Sequence, residues 1–304
     1  MNISSIFQQM LILFLTIGVG YLAVKLKLVD AAFSKGLSRI LVNFTTPAMI
    51  LNSVLASEKV LPNRQVLLLT LLAIGSFAVL ILIALPLPKL LGVPKRQQNV
   101  YRFLTIFNNV GLMGFPVAEA IFGMDAVFFV AIFQIPFNLL CFTYGTWLIS
   151  DGRAGFSLKN FFSPILISAV VSYILYLLNF RAPAFLVNLT GFLGRVTSPA
   201  AMLLVGFALA DVPLKDVFSD WRMYLLSAVK LILIPVAAWL VLRLFISNEL
   251  ILGITLVMMA MPAGTNATLL AVQYDGDSAT SAKGVFMTTL LSVVTIPILM
   301  SLLF

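Results

Sequence analysis

Residues 106–116 read Ile106-Phe107-Asn108-Asn109-Val110-Gly111-Leu112-Met113-Gly114-Phe115-Pro116, which places two amides, two glycines and a proline inside an otherwise apolar run. Paired asparagines are costly in a bilayer unless they bind something or line a wet cavity. Glycine and proline beside them can interrupt a helix, and backbone freed at membrane depth is tolerated only where protein or water surrounds it. A second stretch of the same character lies downstream, Met261-Pro262-Ala263-Gly264-Thr265-Asn266-Ala267-Thr268. Two interrupted helices in corresponding places of two halves are a pointer to the binding site of a secondary transporter.

Composition supports the membrane setting of both stretches. Of 304 residues, 61% are hydrophobic and 10% charged, against about 25% charged in a soluble domain. The net charge of +8 sits in short loops, so it reads as topology and contact with lipid head groups, and not as nucleic-acid binding. Cys141 is the single cysteine and histidine is absent. That excludes an intrachain disulfide, His-based metal sites and His proton relays. No cofactor or metal site is expected. The N-terminus has no basic region and no small-residue cleavage site, so its first apolar run is read as a retained span.

Apolar runs of about 20 residues, enough to cross the hydrocarbon layer, predict ten spans: 5–24, 37–56, 65–87, 101–123, 126–149, 161–180, 186–210, 222–245, 249–273 and 280–303. One set of alternate loops carries thirteen Lys and Arg residues, among them Lys95, Lys159 and Lys215. The other set carries four: Lys59, Arg64, Arg181 and Arg243. This bias places both termini on the non-cytoplasmic side of the cytoplasmic membrane, as an even number of spans requires.

The halves also resemble each other. Thr45-Thr46-Pro47-Ala48 and Thr197-Ser198-Pro199-Ala200 fall in the second span of each half. Nearly the same offset carries Gly111 onto Gly264 and Gly123 onto Gly276. Five spans per half is an odd number, so the halves, residues 1–150 and 151–304, would insert with opposite orientation as an inverted repeat. The fold class expected is an all-α polytopic membrane protein with broken, crossing fourth and ninth spans.

At 1.5 Å per residue, residues 108–114 lie about 9–18 Å from Arg102, near the midplane, and Pro262 to Asn266 reach a similar depth. A break there leaves the second half of each span with unpaired N–H groups and the positive end of its dipole facing the gap. Two such ends make a site for an anion, above all a carboxylate. Asn108, Asn109, Gly111 and Pro116 on one span, with Pro262, Gly264, Thr265 and Asn266 on the other, are the candidate substrate-binding residues. Thr265 and Asn266 suit a helix N-cap.

The same segments carry a family resemblance. Asn-Asn-Val-Gly-Leu-Met-Gly-Phe-Pro (108–116) resembles the broken fourth span of the auxin efflux carrier family. Met-Pro-Ala-Gly-Thr-Asn-Ala (261–267) with Gln273-Tyr274, and Thr288 to Ser292 leading to Pro297, resemble its ninth and tenth spans. The resemblance implies ten helices in two inverted halves. Spans one, two, six and seven would form a scaffold, spans three to five and eight to ten a mobile transport unit, and the scaffold would mediate a homodimer. The short segment from Ser150 to Asn160 fits the small bacterial permeases of that family, not the plant hormone exporters.

The chain is thus read as a carrier of a small organic anion. A sodium-coupled carrier of the bile-acid type and, from another class, a membrane sensor or intramembrane enzyme are the alternatives. Nothing in the sequence resembles H-E-x-x-H, G-x-S-x-G or paired intramembrane aspartates. Glu119, one turn beyond Pro116, could exchange a proton or reach water at the outer end of its span. Lys230, in the eighth span, could neutralise a substrate carboxylate, pair with Glu119, or snorkel to the cytoplasmic surface. The Thr-Thr-Pro and Thr-Ser-Pro motifs are expected to kink helices, their hydroxyls satisfying released carbonyls.

Overall fold

The fold was analysed in a computed structural model, which describes residues 3–56, 61–153, 163–210, 218 and 220–303. Lys59, Lys159 and Lys215 lie outside the described residues, as does most of the Ser150–Asn160 segment.

Helix accounts for nearly all regular structure among the described residues, with no strand beyond one isolated bridge. In chain order the helices are α1 (Ile3–Lys25), α2 (Ala31–Ile40), α3 (Thr46–Leu55), α4 (Asn63–Ala84), α5 (Leu87–Leu90), α6 (Gln98–Ile106), α7 (Phe115–Phe122), α8 (Asp125–Leu140) and α9 (Thr146–Ile149). They continue with α10 (Pro164–Leu177), α11 (Ala184–Gly194), α12 (Thr197–Ala210), α13 (Trp221–Ala228), α14 (Ile234–Leu242), α15 (Glu249–Ala260), α16 (Asn266–Gln273) and α17 (Ser278–Leu303). Among the described residues, five continuous helical stretches are long and apolar enough to cross a membrane: Asn63–Leu90, Asp125–Ile149, Ala184–Ala210, Trp221–Leu242 and Ser278–Leu303. Each coincides with a predicted span. The other runs read as spans hold shorter or interrupted helices, two of them broken in the middle.

Proline explains where several helices widen. π-helical turns cover Leu41–Thr45, Val110–Gly114 and Val229–Leu233, each ending two residues before a proline, Pro47, Pro116 and Pro235. A proline has no N–H for the carbonyl four residues back and its ring presses on that carbonyl. The preceding turn opens to an i→i+5 pattern instead of breaking. The Thr45, Thr46 and Thr197 hydroxyls find no partner among the described residues, and Ser198 turns to Glu119. The expected hydroxyl-to-carbonyl repair is therefore not what these residues do; at Pro47 the widened turn absorbs the proline, and Pro199 lies in the first turn of α12, where its missing N–H breaks no intrahelical bond.

The chain divides into two compact units. The first comprises Met1–Leu71, Gly111–Ile135 and Phe161–Asp211, the second Leu72–Val110, Pro136–Asn160 and Val212–Phe304. In the first, α1 and α12 approach until their backbones touch: a Cβ on Gly206 would overlap the Ile17 carbonyl and lie 2.7 Å from the Tyr21 nitrogen. A Cβ on Gly20 would likewise overlap the Leu203 carbonyl. Small residues permit this, as in membrane helix pairs generally. Lys25 Nζ closes the end of α12 on the Ala210 carbonyl at 2.9 Å. Asn52 on α3 donates to the Val187 carbonyl on α11 at 2.9 Å. Tyr176 on α10 bonds both backbone groups of Leu61 and stacks on Phe128, ring centroids 4.5 Å apart.

In the second unit, α6 packs against α9, α16 and α17, and α13 packs against α17. A Cβ on Gly145 would come within 2.9 Å of both the Phe103 and the Phe107 rings. A Cβ on Gly276 would lie 2.7 Å from the Ile149 carbonyl. Outward faces carry exposed Leu, Ile, Val and Phe side chains throughout the molecule, the surface a lipid-facing helix presents.

Candidate functional site: the crossing of two broken helices

Both breaks are present, and they meet within the second unit. α6 ends at Ile106, and Phe107 turns extended at φ −97°, ψ 102°. α15 ends at Ala260, and Met261 is extended at φ −62°, ψ 144°, the conformation a following proline imposes. The two extended segments pass antiparallel. Asn109 N–H donates to the Pro262 carbonyl and Gly264 N–H to the Phe107 carbonyl, each at 2.8 Å, with Asn108 opposite Ala263. Gly264 is needed for this approach, because a Cβ there would lie 3.2 Å from the Asn108 carbonyl oxygen and 3.4 Å from that of Phe107. Ala263 N–H donates to Thr288 Oγ1 on α17 at 3.1 Å. Three N–H groups freed by the breaks are therefore satisfied by the protein itself.

The side chains at the crossing are polar and deeply buried. Asn108 Nδ2 donates to the Met258 carbonyl at 2.6 Å, and its Oδ1 accepts from Lys230 Nζ. Lys230 Nζ also donates to the Thr105 carbonyl at 3.0 Å. With 1% of its surface exposed, Lys230 does not snorkel. Its Nζ is held at the crossing, and no carboxylate of its unit lies within ion-pair distance among the described residues. Asn109 is buried beside Asn108. Thr265 takes the N-cap position of α16 without a side-chain capping bond, so the sequence located the cap correctly but not its chemistry. Asn266 opens α16, half-buried, its Nδ2 3.9 Å from Cys141 Sγ.

The remaining candidates belong to the first unit. Gly111 lies in the π turn before α7, and Pro116 is buried on α7. Glu119 accepts a hydrogen bond from Ser198 Oγ beside a cavity of 270 Å³ lined by Ile12, Leu13, Pro116, Glu119, Ala120 and Ser198. In the second unit, Asp277 caps α17, accepting from Thr280 N–H at 2.9 Å and from Thr280 Oγ1 at 2.7 Å. No group of three or more carboxylate or thiol side chains able to hold a metal occurs among the described residues. Thr105, Met258 and Thr288 were not legible as site residues. The first two act through backbone carbonyls, and Thr288 through one hydroxyl on a distant helix.

A polar crossing of two broken helices in a protein of this composition is carrier architecture, and sequence comparison agrees. The profile of the family described as "Membrane transport protein" matches residues 5–158 and 155–300. The chain belongs to this family, the auxin efflux carrier family that its broken spans resemble. Among its relatives is an uncharacterised transporter of Methanocaldococcus jannaschii, 24% identical over 298 residues, covering 94% of this chain and 95% of that protein. Another, named "Putative malonate transporter", comes from Rhizobium meliloti and is 27% identical over 211 residues, covering 66% of this chain and 65% of that protein. Membership of this family makes the chain a membrane transport protein.

Proposed function

We propose that the chain is a secondary carrier that moves a small organic anion, a carboxylate, across the cytoplasmic membrane by alternating access. The observation that carries this reading is the antiparallel contact at the crossing, where Asn108, Asn109 and the Lys230 ammonium gather around two helix breaks. A guest carboxylate would be held by the N–H groups of Thr265 and Asn266 at the head of α16, by the side chains of Asn109 and Asn266, and by the positive field of Lys230. Pro262 and Gly264 shape the backbone there, and Gly111 and Pro116 shape the turn and helix that follow the first break. Glu119 is a candidate for proton exchange. In this reading the ten spans form two inverted halves, 1–150 and 151–304, with both termini outside. Spans one, two, six and seven are the fixed scaffold of a homodimer in the lipid, and the rest move against it. The name of the Rhizobium meliloti relative supports a dicarboxylate as the first probe.

The test is thermal stability of the purified protein with malonate and other short mono- and dicarboxylates. At about a hundredfold excess over Kd, a ligand that binds only the folded state is expected to raise the midpoint by about 5–10 °C. Asn109→Ala and Asn266→Ala are expected to lose most of that shift. Equal stabilisation of wild type and both variants would remove the site from the crossing.

A further inference from the structure

The carbonyl ends of both broken helices point into the crossing, and each is already occupied. The final carbonyls of a helix lack intrahelical partners and carry the negative end of its dipole. On α15, the Met258 carbonyl takes the Asn108 amide at 2.6 Å. On α6, the Thr105 carbonyl takes Lys230 Nζ at 3.0 Å, and the same nitrogen donates to Asn108 Oδ1. In carriers built on interrupted helices, unwound carbonyls and helix C-terminal ends are where the coupling cation sits. Here that oxygen-lined position holds a primary ammonium, a compact point charge with three donors.

Local sequence explains how the ammonium arrives there. Lys230 stands in the π turn Val229–Leu233, opened by Pro235, and its whole side chain is buried. The charge is also asymmetric between the halves. The offset of 153 that carries Gly111 onto Gly264 carries Phe77 onto Lys230, so one of the two related positions is apolar and the other charged.

We infer that Lys230 is a tethered cation: its ammonium fills the place at the end of α6 that a free sodium ion would need, and the carrier binds its substrate without sodium. The inference rests on the crossing being the transport site. It goes further by assigning the coupling-ion position and excluding a sodium requirement.

The experiment compares thermal midpoints in sodium, methylammonium and choline chloride at matched ionic strength, first without any carboxylate. Wild type is expected to melt at the same temperature in all three. Lys230→Ala vacates the position, and sodium or methylammonium is expected to raise its midpoint saturably over choline by about 2–4 °C. A lysine that merely packs would leave the variant indifferent to both ions, which would overturn the inference. So would a saturable sodium effect on wild type, a result available even if the alanine variant does not fold. Adding malonate separates the two readings. A malonate shift seen only in sodium refutes the tethered cation and leaves the carboxylate site standing. No malonate shift in any salt, with the cation responses as expected, refutes the carboxylate site alone.

Discussion

Asn108→Ala is expected to destabilise the protein by about 3–5 kcal/mol and to abolish malonate uptake in proteoliposomes. The Asn108 side chain ties two parts of the crossing together, donating to Met258 on α15 and accepting from Lys230, while its backbone stands opposite Ala263. Alanine would leave the Met258 carbonyl without its short donor and Lys230 with the Thr105 carbonyl alone. A hydrogen bond to a charged group contributes about 1.5–3 kcal/mol, and each buried polar group left unsatisfied costs about 1–3 kcal/mol. Among the described residues no carboxylate of the unit is in place to take over the Lys230 nitrogen. Asn266→Ala is the contrast. That side chain is half-buried and its recorded partner is a sulfur at 3.9 Å, so stability should change by less than about 1 kcal/mol while the malonate response disappears. Thermal midpoints and uptake measured side by side on the two variants check both statements. Equal destabilisation would mean that Asn108 has no special part in holding the crossing together.

Gly206→Ala should have an effect of similar size by an unrelated route. The added methyl would overlap the Ile17 carbonyl and crowd the Tyr21 nitrogen at 2.7 Å and the Gly20 Cα at 2.9 Å. All of these are backbone atoms of one helix, so no rotamer change relieves the clash and α1 must move off α12. Overpacking of this kind costs about 1–3 kcal/mol, occasionally more, and a backbone obstacle puts it at the upper end. Gly18→Ala on the same helix is the control. Its Cβ would meet nothing within 4 Å, and alanine is the better helix former by about 1 kcal/mol. Thermal midpoints should therefore move in opposite directions for the two variants.

The breaks themselves were legible because polar and helix-breaking residues in an apolar run have few other uses. Their details were not. The glycines at 111 and 114 and the proline at 116 do not make the first break; they lie in and beyond the π turn after it, and the residues outside the helix are Phe107 to Asn109. In the second stretch the proline does sit in the break, because Met261 must be extended before it. The same residue type thus sits in the break of one helix and beyond a widened turn in another. Lys230 shows a different limit. Its depth along the span allowed snorkelling, and only the three-dimensional position of Thr105 and Asn108 decides against it. Those two residues lie more than 120 positions away in the chain, and one of them offers only a backbone carbonyl, which no residue type betrays. Glu119 was legible as an intramembrane carboxylate, but its partner Ser198 belonged to a motif read as a simple kink.

A carboxylate held at the crossing would lie beside the asparagine side chains. Solid-state NMR of the reconstituted protein, with 13C-carboxylate malonate and 15N-labelled asparagine, tests it by the dipolar coupling between ligand carbon and asparagine nitrogen. Clear dephasing of the carboxylate signal that weakens in Asn266→Ala and Asn109→Ala is the predicted result. Bound malonate whose signal shows no dephasing by asparagine, or the same dephasing in wild type and both variants, would contradict it.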